Sequence, residues 1–127
     1  MMRLDVKTSS RTHFCEVTTR VADVVRDLGM SDGIITVYVP HTTAGVTINE
    51  NADPDVVADM SDALDRAVPW QAGYRHMEGN SAAHVKASMM GSSVCVFVEG
   101  GRLQLGTWQG IYLCEFDGPR TRMMWIK

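Results

Sequence analysis

The last third of the chain leaves little choice of architecture. Val94 to Val98 and Leu103 to Leu105 are apolar runs on either side of Gly100-Gly101, a pair that readily takes the positive φ of a tight hairpin. Ile111 to Phe116 and Met123 to Ile126 follow, divided by Asp117-Gly118-Pro119. Four strand-like runs with no helix between them return antiparallel, because a parallel pair needs a long crossover. A βαβ winding is thereby excluded for this part. With 127 residues in all, a (β/α)₈ barrel of about 250 residues is excluded too.

Upstream, the pattern alternates between strands and short helices. Arg3 to Val17 reads as extended, broken by a Ser/Arg/Thr turn, with His13 as a structural residue. Val21, Val24, Val25 and Leu28 fall at i, i+3, i+4 and i+7 and predict a helix, capped by Thr18 or Thr19 and ended by left-handed Gly29. Gly33 to Val39 is β-branched and apolar enough for a buried strand, closed by Pro40. Asp53-Pro54-Asp55 has the signature of a helix start: a capping carboxylate, proline in the first turn and a second acid near the positive end of the dipole. Val56, Val57, Met60, Leu64 and Val68 give that helix an apolar face, and Pro69 stops it. A third helix is expected over Ser81 to Met90, with Gly91 as terminator. The expected fold is a compact α+β domain spanning residues 1–127, with antiparallel sheets and two or three short helices.

Composition narrows the partners. A net charge of −3 argues against a protein built to grip nucleic acid. No run approaches the roughly 20 apolar residues that span a bilayer, and Met1 to Asp5 lacks the apolar core of a signal peptide. Cys15, Cys95 and Cys114 are odd in number, far apart and set in apolar runs, so reduced thiols in a cytoplasmic protein are expected rather than a disulfide framework or a nucleophile. No P-loop, GxGxxG or GxSxG pattern is present.

Polar residues concentrate in four places. In the first, His41-Thr42-Thr43-Ala44-Gly45 follows the buried strand, and Gly45 would let a ligand approach the backbone. Asn49, Glu50 and Asn51 then precede a helix N-terminus, where free N–H groups favour an anion such as phosphate. The alternative is a turn in which the two asparagines bond local backbone. The second runs from His76 through Glu78 to His84 and Lys86, with His84 and Ser88 on one helical face. Both histidines there are either surface residues or partners in one pocket. With His41 they would make three imidazoles, a donor set that suits zinc with an open fourth position and not magnesium. The third is Gly106-Thr107-Trp108-Gln109-Gly110, read either as a bulged strand beside a ligand or as a Trp covering the core with Gln109 at an edge. The fourth is Asp117 to Arg120, a turn before Arg122; Arg120 and Arg122 alternate and suit an anion if they share a face.

Three motifs in order, from His41 to Asp55, from Glu78 to Lys86 and from Gly106 to Arg120, closely resemble the YjbQ-type family, named for secondary thiamine-phosphate synthase activity. The resemblance covers nearly the whole chain. It implies an α+β domain, commonly trimeric, that condenses a pyrimidine pyrophosphate with a thiazole phosphate. Together with the residue patterns it leaves Glu50, His84 and Lys86 as catalytic candidates, and Thr42, Thr43, Asn49, Asn51, Glu78, Gln109 and Arg120 as substrate-binding candidates. His41, His76 and His84 are the candidate metal ligands, zinc before magnesium. Two other functions fit the same residues. One is metal-dependent hydrolysis of phosphorylated small molecules with Glu50 as base; the other is a non-catalytic binding module whose pocket forms between subunits.

Overall fold

A computed structural model describes residues 1–127. Its elements are β1 (Met2–Lys7), β2 (His13–Glu16), α1 (Thr18–Asp27), β3 (Gly33–Tyr38), β4 (Ala44–Glu50), α2 (Pro54–Ala67), α3 (Ser81–Met90), β5 (Ser93–Glu99), β6 (Arg102–Leu103), β7 (Gln109–Glu115) and β8 (Thr121–Ile126). They form two antiparallel sheets. The first has the order β1-β8-β3-β5-β6 and the second β2-β7-β4. The fold is the α+β class expected, with three helices. No helix is long and apolar enough to cross a membrane.

Strand β7 explains the layering. Side chains on a strand point alternately to opposite faces, and here both faces are covered, so every residue from Ile111 to Phe116 is buried. Ile111 and Leu113 join Val46 of β4 and meet Ile35, Val37, Val96, Met124 and Ile126 of the first sheet, with Val21, Val24 and Val25 of α1. Tyr112 and Cys114 face the other way, joining Phe14 and Phe116 under Ala83 and Ala87 of α3. The small residues of α3 let that helix lie close to the second sheet. Helix α2 completes this layer with Val57, Met60 and Leu64, which stay only partly covered.

Local signals were mostly realised. Asp53 caps α2 by accepting from Asp55 N at 2.9 Å, with Pro54 in the first turn. Gly100 and Gly101 turn the β5–β6 hairpin at φ 57° and 75°, values that L side chains rarely adopt. The expected Thr cap of α1 is not formed. Val17 occupies the cap position, and Thr18 Oγ1 instead donates to Glu16 Oε2 and accepts from Ile111 N. Tying α1 to β7 serves the hydroxyl as well as a local cap would. The strand expected over Leu103 to Leu105 is shorter, ending at Leu103. The cysteines are free, but Cys95 is exposed on the outer face of β5, where alternation turns it away from the core.

Candidate functional site

Glycine 45 creates the site by letting two pieces of backbone meet. A Cβ at this position would lie 2.7 Å from Gly91 O and 3.1 Å from Ala87 O. Without one, β4 packs directly on the end of α3, and Val46 N donates to Gly91 O at 3.1 Å. The expectation that Gly45 makes room for a ligand is corrected: it makes room for α3.

The loop between β3 and β4 is thereby held against the helix, and between them lies a half-open cavity of about 290 Å³. His41 and Thr42 line it from the loop, Ala44 from the start of β4, His84, Ala87 and Ser88 from α3, and Ser92 from the turn before β5. His41 and His84, 43 residues apart in sequence, thus face one space. His76 sits against the far side of His84, the rings edge-to-face with centroids 5.5 Å apart. Glu78 approaches His76 only to 4.0 Å, with both side chains largely exposed.

His41 is the most constrained of these groups. The Met123 backbone N–H donates to its Nε2 at 2.9 Å. Burial and the nearby Arg122 charge hold its pKa below the ordinary value, against an opposing pull from Glu115.

Behind the loop lies an ion pair whose importance sequence reading missed. Glu115 is fully buried and Arg122 is 3% exposed. Arg122 Nε donates to Glu115 Oε1 at 2.9 Å and Arg122 Nη2 to Glu115 Oε2. Thr8 Oγ1 donates to the same carboxylate at 2.8 Å, and the amides of Phe116 and Asp117 at 3.1 Å each. Burial alone would raise the Glu115 pKa. The hydrogen bonds from Arg122, Thr8 and Asp117, with the Arg122 charge, reverse that and hold it below the usual carboxylate range. Arg122 Nη2 also donates to Thr43 O and Oγ1, at 3.2 and 2.7 Å. The signal was present: a lone carboxylate in the apolar run Ile111 to Phe116 requires a buried partner.

Other expectations change accordingly. Thr43 anchors the loop to Arg122 and does not line the cavity. Arg122 is internal, whereas Arg120 is half-exposed and bonds Asp117 through its carbonyl and carboxylate. Lys86 is buried on α3 and pairs with Asp65 of α2, so it ties the two helices together and does not join His84. Glu50 ends β4, six residues beyond Ala44, which at about 3.3 Å per residue puts it roughly 20 Å along the strand from the cavity end. Asn49 Oδ1 accepts from Glu50 N, Asn51 Nδ2 donates to Glu16 Oε2, and Gln109 Oε1 accepts from Gly106 N. These are local and structural bonds, at the far end of the second sheet. The three histidines do not reach a common point: no three His, Cys, Asp or Glu side chains come close enough within one chain to hold a metal. A Cys114 nucleophile is disfavoured, since burial pushes its thiol up to about 12. Ser88 and Ser92, by contrast, were given no site role from sequence and do line the cavity.

Two packed antiparallel sheets, a helical layer on the second, and a two-histidine cavity beneath the β3–β4 loop define a small α+β sandwich protein. Its sequence matches the model of the family described as "UPF0047 protein YjbQ-like" over residues 2–127. It is 54% identical over 125 residues to UPF0047 protein YugU of Bacillus subtilis, covering 98% of this chain and 95% of that one. A UPF0047 protein of Methanocaldococcus jannaschii is 42% identical over 127 residues, covering 100% and 92%. Among solved structures, an uncharacterised YjbQ/UPF0047 protein of Clostridium acetobutylicum superposes with a TM-score of 0.98 at 52% identity, covering 100% and 98%. A conserved hypothetical protein of Thermus thermophilus gives 0.94 at 39% identity, again covering 100% and 98%. The chain belongs to the YjbQ/UPF0047 family.

Proposed function

We propose that this protein binds a phosphorylated small molecule in the His41–His84 cavity and acts there as a transferase of the secondary thiamine-phosphate synthase type. A pyrimidine pyrophosphate would lose pyrophosphate by cleavage of its carbon–oxygen bond, and the ring nitrogen of a thiazole phosphate would form the new carbon–nitrogen bond. The observation that supports this reading is the meeting of two imidazoles and the hydroxyls of Thr42 and Ser92 around one polar space, where the Ser88 hydroxyl donates back to His84 O at 3.0 Å. Such donors stabilise charge that develops on a leaving oxygen when they are fixed before the reaction begins. His41 is fixed by Met123 N, and His84 by its place on α3 with His76 against it. In this reading His84 binds the leaving pyrophosphate and supplies its proton. Glu50 and Lys86 take no part.

The test is pyrophosphate release from the two substrates by wild type and by His84→Ala. Turnover that is lost in the variant supports the proposal. Absence of turnover in wild type, with neither substrate bound, overturns it. The chain is further proposed to self-associate, as a trimer by resemblance to its family. Ile34 and Phe97, cross-strand partners at 54% and 67% exposure, support this by leaving an apolar patch on the first sheet. Sedimentation equilibrium of wild type and of Phe97→Glu tests it: a monomeric wild type refutes it.

A further inference from the structure

The hydrogen bond that fixes His41 also decides which chemistry the ring can perform. A backbone amide donates and never accepts. Because Met123 N–H points at Nε2 from 2.9 Å, Nε2 must present its lone pair. An imidazolium would set one N–H against another. Turning the ring over would replace the acceptor with a C–H and leave the amide unpaired. A neutral ring carries one proton, and with Nε2 bare that proton resides on Nδ1. Nδ1 has no protein partner, and His41 lines the cavity.

We infer that His41 is locked as a neutral Nδ1–H tautomer and serves the cavity as a fixed hydrogen-bond donor to an oxygen acceptor, and not as a metal ligand. Coordination needs a lone pair. The one on Nε2 is committed to β8, and Nδ1 has none while it carries the proton. The zinc centre implied by three histidines therefore does not fit this residue. His41 is excluded as a general base for the same reason. What it offers is an N–H held in place before a ligand arrives, suited to a phosphoryl or carbonyl oxygen.

The surroundings agree with a neutral ring. The charges that face it are Arg122 of β8 and Arg120 just before that strand, which disfavour a second proton, and Glu115 of β7, which favours one. His84 of α3 lies across the cavity. Arg122 is itself bound to Glu115, so the pair presents little net charge to the loop. Protonation would break the bond to Met123 and leave the β3–β4 loop tied to β8 through Thr43 and Arg122 alone.

The inference holds whatever reaction the cavity performs, so a failure of the transferase reading leaves it standing. The experiment is a long-range ¹H–¹⁵N correlation of the histidine rings in the labelled full-length protein at pH 7, before and after titration with Zn²⁺. His41→Asn assigns the resonances by removing one ring. The expected spectrum shows His41 with a protonated Nδ1 and a bare Nε2, and neither shift moves with zinc. A protonated Nε2, a doubly protonated ring at pH 7, or a zinc-dependent shift of either His41 nitrogen would overturn it.

Discussion

Replacing Arg122 by Met is the most informative perturbation of the scaffold. Glu115 would keep its bonds from Thr8 and two backbone amides but would lose its only countercharge within a closed site. Stranding one member of a buried pair costs about 3–5 kcal/mol, a large share of the roughly 5–15 kcal/mol that holds a domain folded. With 127 residues and about 2.1 cal/mol/K of unfolding entropy per residue, the melting temperature should fall by about 10–20 °C. Urea unfolding at several pH values separates this mechanism from simple loss of packing. The stranded carboxylate is relieved by protonation, so the deficit should shrink from pH 7.5 to pH 5. Adding Glu115→Gln removes the charge, keeps one acceptor oxygen for the amides of Phe116 and Asp117 and turns its NH2 toward Thr8 Oγ1, whose own proton can go to Arg120 O, and should recover at least half of the loss. A deficit below about 1 kcal/mol would refute the electrostatic argument. So would a deficit independent of pH, or a double variant no better than the single.

Other outcomes follow from the same geometry. Gly45→Ala forces a methyl onto the carbonyls of Gly91 and Ala87, and should cost about 1–3 kcal/mol by overpacking while separating β4 from α3; equilibrium unfolding measures it. Lys86→Met should change stability by less than about 1 kcal/mol. Its partner Asp65 is 59% exposed and well screened, and methionine fits an apolar slot without a desolvation penalty; the same unfolding assay checks this. On the acid side two groups act in one direction. Glu115, held below 4.5, contributes stability that is present above that pH and lost as pH falls through its folded value. His41, held below 6.5, penalises the folded state once pH drops under 6.5. Melting temperature should therefore decline steadily from pH 6.5 downward, and His41→Asn should remove the part between 6.5 and 4.5.

The elements were largely legible because they are written locally. Asp53-Pro54-Asp55 starts α2, the glycine pair turns β5 into β6, and the valines at helical spacing define the buried face of α1. Layering was not legible. Nothing short-range says that β7 pairs with both β2 and β4, or that α3 covers one of its faces. For the site, the junction of His41 with His84 was anticipated only as part of a three-histidine cluster. Spacing did not reveal that His41 would spend Nε2 on Met123, or that Lys86 would find Asp65. The motif from His41 to Asn51 looked continuous in sequence, yet a seven-residue strand carries its two ends to opposite ends of the second sheet. A strand separates neighbours in sequence as effectively as a fold unites distant ones.

We propose that the cavity under the β3–β4 loop takes a phosphoryl group and that the polar residues elsewhere in the motifs are structural. Calorimetric titration of inorganic pyrophosphate into wild type, His84→Ala and Lys86→Met tests it most directly. Binding to wild type should be saturable, unchanged within about twofold in Lys86→Met and weakened at least tenfold in His84→Ala, the loss of about 1.4 kcal/mol expected for one hydrogen bond to a charged ligand. Binding that survives in His84→Ala but fails in Lys86→Met would contradict it.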